Sequence, residues 1–268
     1  METPQSKEIH NIISDMMDRV IKKVTETDPF LPEEHKFKKP LYAALVPDEI
    51  FKASHFERRF VTPFGKIWEQ LAKAVGSFYF DIAELGRKIT GTIKQSRLRR
   101  IQEVLDNLEH ANNTVPNWED ELAYILDANA GDEDNVTVIA DLYIENSDTY
   151  RASFELKAPL PNSDQTKVSK EKMLKLYGMT ETKIDEAYYA LPYNPYGQKE
   201  DYEWWPPFRW FNMKEDEVVL IGDEFWDKLG GKGTFLRLIE VVEEIGPKYK
   251  KIIYEEYLGI VDPNTNNL

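Results

Sequence analysis

Three charged residues could do chemistry together: Asp141, Glu155 and Lys157. Glu155 and Lys157 stand two apart in YRASFELKAPLPNSDQ, residues 150–165. In an extended strand that spacing places both on one face, while Phe154 and Leu156 point the other way into a core. Charges on an apolar strand are costly without a partner or a task. Asp141 lies inside an earlier apolar run, residues 136–144. A turn centred near residue 147 or 148 places Asp141 opposite residues 153–155. Adjacent strands are roughly 4.8 Å apart and alternate residues roughly 6.6 Å, so the three side chains converge on one patch. Two carboxylates that close raise each other's pKa unless a cation lies between them. Hard oxygen donors, with the Leu156 carbonyl as a third, suit Mg²⁺, which keeps several waters. Such an ion polarises a phosphate and helps make a hydroxide nucleophile, and Lys157 would orient the water or offset phosphoryl charge. A surface ion pair on a sheet edge is the plainer reading of most Glu-x-Lys sequences. Here the apolar flanks, the Asp within VTVIADLYI and the strand-ending Pro159 favour a site.

Positioning these residues requires a hairpin, with strands expected at 135–145 and 149–158 and turn residues at 146–148. The competing aspartates are weaker, because Asp148 falls in the turn and Asp134 before the strand. Residues 165–177 read as a helix closed by Gly178, with Ser163 or Asp164 as its cap. Further strands are expected at 186–191 and 218–221. Upstream, apolar spacing predicts a helix over 5–26, a Pro-rich loop over 27–47, helices over 48–60 and 62–75, and a strong helix over 92–111. Asn117 caps a helix through Ala128, and helices at 223–229, 234–245 and 247–258 close the chain. Helices, then a strand cluster, then helices give an α+β (α/β/α) fold with a mixed sheet. The expected division is a mainly helical region, 1–116, and a catalytic core with C-terminal helices, 117–268.

Composition excludes several classes. The chain has 268 residues, ample for a full core. It has no Cys, hence no disulfide framework or thiolate metal site, and its four His show no ligand spacing. No apolar run is long enough for a membrane span and no secretory signal is readable, so a cytoplasmic location is expected. The net charge of −14 taken alone argues against nucleic acid as a partner, but the distribution of charge matters more than the sum. Residues 87–100 hold six basic residues and no acid, among them Arg97, Arg99 and Arg100. Lys167, Lys170, Lys172 and Lys175 follow the central stretch. A basic cleft on an acidic body and a pair of solvated helix faces both fit.

Other polar residues invite similar readings. Asn162 and Gln165 follow the site directly and could grip a phosphate or base edge, or could cap a surface helix. Tyr193 and Asn194 in ALPYNPYG sit just past a strand, where an amide could meet an adenine edge or simply close a turn. YEWWPPFRWF, residues 202–211, reads as a core wedge or a subunit interface, with Arg209 its best candidate for a contact. Glu119 or Glu121, on the helix feeding the hairpin, could supply an extra carboxylate, and they read more plainly as helix-N-terminal acids favouring the dipole. Gly230-Gly231-Lys232-Gly233 lacks the first glycine and the hydroxyl of a phosphate loop and reads as a helix break.

The arrangement resembles a family. An Asp on one strand and Glu-x-Lys on the next is the core pattern of the PD-(D/E)xK nucleases. FELKAPLPNSDQ at 154–165, ALPYNPYG at 190–197 and VVLIGDEFWDKLGGKGTF at 218–235 resemble type II restriction endonucleases of the TdeIII/MjaII group. The resemblance covers about residues 117–260 and implies Mg²⁺-dependent hydrolysis of double-stranded DNA to 5′-phosphate and 3′-hydroxyl ends. It also implies a homodimer on a palindromic site, suggests GGNCC, and implies a cognate DNA methyltransferase as functional partner. Asp141, Glu155 and Lys157 take the three motif positions, with Ala140 where the pattern has Pro. The expected DNA contacts are Asn162, Gln165, Lys167, Lys170, Arg97, Arg99, Arg100, Tyr193, Asn194 and Arg209. Alternatives are a repair or recombination nuclease of the same superfamily, a two-carboxylate glycoside hydrolase, and a binding scaffold without activity.

Overall fold

The computed structural model describes residues 3–110, 114–147, 149–181 and 184–263. Two units divide the chain: Met1–Leu71 with Leu236–Leu268, and Ala72–Phe235. Residues 72–116 therefore share a unit with the central strands. Among the described residues no helix is long and apolar enough to cross a membrane.

The first unit is helical. Helix α1, Pro4–Lys22, is capped by Thr3, whose hydroxyl accepts from the Ser6 amide at 3.1 Å, and buries Ile9, Ile13, Met16, Met17 and Val20 along one stripe. The expected loop over 27–47 instead contains α2, Pro32–Lys38, and α3, Pro40–Leu45. Both begin on a proline, whose fixed φ suits a first helical position and whose missing N–H goes unused there. Helix α4, Asp48–Gly76, runs through Pro63 where a break was expected. Phe56, Phe60, Phe64 and Trp68 stack along its length at centroid spacings of 6.1, 4.9 and 5.0 Å, so the apolar face continues past the proline. Helix α9, Thr234–Ile252, likewise runs through Pro247 instead of breaking at Gly246.

The second unit is built on a five-stranded sheet in the order β1-β4-β5-β6-β7. The strands are β1 Ile82–Leu85, β4 Leu142–Asn146, β5 Tyr150–Leu156, β6 Glu186–Leu191 and β7 Val219–Ile221. β1, β4 and β5 pair antiparallel, whereas β5, β6 and β7 pair parallel. Helices α5 Gln95–His110, α6 Trp118–Leu126, α7 Ser163–Gly178 and α8 Asp223–Gly230 complete the α+β fold expected from the sequence. Ile101, Leu105, Met173, Leu174, Tyr189 and Phe211 belong to one buried cluster between helices and sheet. Gly178 ends α7 for reasons of space rather than handedness: a Cβ there would lie 2.8 Å from Ile93 Cδ1.

Two expectations are corrected here. The strong helix begins at Gln95, not residue 92, because residues 88–94 form β2. Their β-branched residues, Ile89, Thr90, Thr92 and Ile93, suit the strand. The continuous strand expected at 135–145 is two strands. β3, Glu133–Ile139, pairs with β2 in a separate two-stranded ribbon, and β4 then enters the main sheet. The break falls at Ala140-Asp141, so Asp141 sits at the corner between two sheets.

Candidate active site

β5 is a central strand, and central strands are covered on both faces. Residues 152–156 are all buried, Glu155 included at 1% exposure. The β4/β5 register pairs Leu142 with Phe154, which sets Asp141 beside Glu155 at the point where the strands part. Main-chain bonds from Ala140 N to the Arg87 carbonyl (3.0 Å) and from Gly86 N to the Asp141 carbonyl (3.4 Å) hold the corner. The Asp141 side chain is thereby turned towards the end of β5. Its Oδ2 accepts from the Leu156 amide at 2.9 Å and from Lys157 Nζ at 2.6 Å.

Lys157 Nζ also lies 3.4 Å from Glu155 Oε2 and 3.0 Å from the Leu156 carbonyl oxygen. One ammonium thus sits among the three oxygens that the sequence nominates as metal donors. Glu155 is held further by α7: Lys172 Nζ is 2.9 Å from each of its carboxylate oxygens, and Ser169 Oγ is 3.3 Å from Oε2. Burial pushes the Glu155 carboxyl up, with the Asp141 charge adding to this and Lys157 and Lys172 opposing it. Lys172 and Ser169 are neighbours of Glu155 that the sequence reading did not assign to the site. Their signal is the i, i+3 spacing on the helix after the strand, and it was masked by a helix that reads as a basic surface.

The loop after Lys157 is pinned by the aromatic segment. Tyr202 Oη donates to the Pro159 carbonyl at 2.9 Å, Trp204 Nε1 to the Pro161 carbonyl at 2.7 Å, and Trp210 Nε1 to Ser163 Oγ at 2.9 Å. The segment is therefore a wedge in which Tyr202, Trp210 and Phe211 are buried.

Two carboxylates and a main-chain carbonyl form a hard oxygen donor set that converges on the Lys157 ammonium. That set fits Mg²⁺, which needs few protein ligands. Among the described residues no cluster of three or more His, Cys, Asp or Glu side chains could hold a metal, so a third acid is not part of the set. Asp134 is remote from it, paired with Ile93 in the ribbon, and Asp148 lies outside the described residues.

The expected DNA contacts scatter. Lys170 is a correction: it is fully buried, paired with Glu121, and bonded to the Trp210 carbonyl. An ammonium with no exposed surface cannot reach a phosphate, and Glu121, an acid in the first turn of α6 that accepts from the Asn117 amide at 3.3 Å, is also its counter-ion. Arg97 donates to the carbonyls of Ala128 (3.0 Å) and Gly178 (2.9 Å), and Arg100 to the Tyr124 carbonyl while its guanidinium stacks on the Tyr124 ring. These two arginines serve packing around α5, while Arg99 is exposed. Asn162 caps α7 through the Gln165 amide at 2.8 Å, in place of the expected Ser163 or Asp164, and both Asn162 and Gln165 are exposed. Lys167 pairs with Glu109 at 2.5 Å. Asn194 spends its amide on the Gln198 carbonyl and the Tyr196 N–H, closing the turn next to half-exposed Tyr193. Exposed Arg209 donates to the Glu109 carbonyl at 2.8 Å and lines a cleft of about 440 Å³ with Val115, Trp205 and Phe208.

Comparison with known proteins adds an independent observation. The family model described as type II restriction endonuclease, HinfI, matches residues 5–246. Relatives include the type II restriction enzyme HgiCII of Herpetosiphon aurantiacus, 28% identical over 213 residues, which span 78% of this chain and 77% of the relative. The type II restriction enzyme HgiEI of the same organism is 26% identical over 248 residues, 89% of each chain.

Proposed function

We propose, from the premise that this chain belongs to the HinfI family of type II restriction endonucleases, that Asp141, Glu155 and Lys157 are its hydrolytic centre. The chain is a site-specific deoxyribonuclease, and such enzymes generally need a divalent metal. The observation that supports the assignment most strongly is the convergence of Asp141 Oδ2, Glu155 Oε2 and the Leu156 carbonyl on Lys157 Nζ at 2.6, 3.4 and 3.0 Å.

In this reading the centre is of the PD-(D/E)xK kind, nearest the TdeIII/MjaII group, and lies within the core at 117–268. Asp141, Glu155 and the Leu156 carbonyl would hold Mg²⁺. When bound, the ion supplies Lewis acidity at the scissile phosphate and lowers the pKa of water. Lys157 keeps its proton at Nζ and would donate a hydrogen bond that orients the attacking water or offsets charge on a non-bridging phosphate oxygen. The water would give up one proton to bulk solvent as its oxygen forms the new P–O bond in line, the bond to O3′ would break with O3′ taking a proton from solvent water, and 5′-phosphate and 3′-hydroxyl ends would result. Exposed Arg99, Asn162, Gln165 and Arg209, with half-exposed Lys167, Tyr193 and Asn194, are the remaining candidates for contact with DNA. The partners proposed are a second copy of the chain, forming a two-fold dimer on a palindromic site such as GGNCC, and a cognate methyltransferase acting on the same site in the cytoplasm.

The test is incubation with unmethylated phage DNA and Mg²⁺. Discrete fragments are expected, their mapped ends giving the recognition site, and a chelator should abolish them. Fragments that persist in excess chelator contradict the metal centre.

A further inference from the structure

Lys172 makes the candidate centre electrically complete without any metal. Its Nζ donates to both Glu155 oxygens at 2.9 Å, has among the described residues no other acidic partner closer than Asp141 Oδ1 at 3.8 Å, and donates to the Ile139 carbonyl at 2.9 Å. Lys157 supplies the second ammonium at 2.6 Å from Asp141. Two carboxylates and two ammonium groups sum to zero, around an acid that is 1% exposed. A buried carboxylate pair attracts cations strongly, and built-in ammonium groups satisfy the same attraction intramolecularly. Ser169 on the same helix face, 3.3 Å from Glu155 Oε2, fixes the acid in the position that Lys172 bridges.

We propose that Lys172 is a positioning residue that acts as a resident counter-cation, opposing divalent metal in the DNA-free enzyme so that metal loading waits for the DNA phosphate. A divalent ion added to the neutral cluster gives a local charge of +2. The phosphodiester restores one negative charge and offers the displaced ammonium a partner. Without Lys172, the cluster carries one net negative charge and loads metal alone. The proposal rests on Asp141 and Glu155 being the metal-holding residues, so its test separates the two claims.

The probe is Mn²⁺, which takes the same hard oxygen ligands. Free ion is followed by its electron paramagnetic resonance signal as Mn²⁺ is titrated into the folded full chain without DNA. Lys172→Met is expected to bind Mn²⁺ on the order of tenfold or more tightly than the parent, and Lys172→Arg to stay near the parent. Adding Asp141→Asn to Lys172→Met should erase the gain. Duplex DNA should tighten binding in the parent by more than in Lys172→Met. If Lys172→Met does not fold, Lys172→Gln, which also lacks the charge, is expected to show the same gain. Unchanged affinity in the folded neutral variant, with Mn²⁺ binding still dependent on Asp141, overturns the role of Lys172 and leaves the site in place. Mn²⁺ binding indifferent to Asp141→Asn, with and without DNA, overturns the site and the proposal together.

Discussion

Lys157→Ala is expected to lower the single-turnover cleavage rate on the order of 10³-fold or more while DNA binding stays within about threefold of the parent. The loss follows from position. Among the described residues, Nζ is the one cationic group that touches Asp141, Glu155 and the Leu156 carbonyl together. Removing it deletes charge stabilisation where the phosphoryl group must sit, an interaction made mainly in the transition state. The fold should survive, because Asp141 Oδ2 keeps the Leu156 amide and Glu155 keeps Lys172. Lys157→Arg should not restore the rate, since a planar guanidinium cannot replace a compact ammonium between two carboxylates. Single-turnover gels and a binding isotherm on one duplex decide the matter. Undiminished cleavage by Lys157→Ala sinks its assignment.

Glu121→Ala carries the largest expected effect on stability, a loss of about 3–5 kcal/mol, because it strands a buried cation. Lys170 is fully buried against Glu121, with the rings of Phe211 and Trp118 at 4.8 and 5.8 Å from Nζ. Burial pushes the Glu121 carboxyl up and the Lys170 ammonium down, while each partner opposes the shift of the other. Asp216 lends Lys170 a second, weaker acid and tempers the loss. Replacing both partners, Glu121→Leu with Lys170→Met, should return stability to within about 2 kcal/mol of the parent, since a well-packed apolar pair often matches a buried ion pair. Denaturant unfolding of the three proteins measures this. DNA affinity of the double variant should equal that of the parent, whereas a phosphate contact by Lys170 would show as a tenfold or greater loss.

Much of the geometry of the candidate centre was legible because its rules are local. Alternation placed Phe154 and Leu156 in the core, Pro159 ended the strand, and counting back from the turn brought Asp141 opposite Glu155. What escaped depended on contacts far away in sequence. The corner at Ala140-Asp141 exists because β3 pairs with β2, a partner about 45 residues upstream, and an unbroken apolar run carries no sign of that change of sheet. Lys170 and Lys172 look alike in SKEKML, yet one faces the buried cluster and the other faces Glu155. Only the packing of α7 against the sheet separates them. The prolines at 63 and 247 were read as breaks, although apolar faces running past them outweigh one lost main-chain bond. Aromatic density at 202–211 pointed to a wedge, but nothing local shows that its Tyr and Trp donors hold the loop after Lys157.

The central claim is that a buried acid beside Asp141 does the chemistry rather than holding the sheet together. Glu155→Gln tests it most directly, because the amide keeps the shape of the side chain, removes its charge and can still accept from Lys172. The measurement is the single-turnover cleavage rate on a specific duplex with saturating Mg²⁺, alongside the melting temperature and the binding isotherm. The expected result is a rate lowered on the order of 10³-fold, with the fold intact and DNA still bound. A folded Glu155→Gln protein that cleaves within about threefold of the parent rate contradicts the claim.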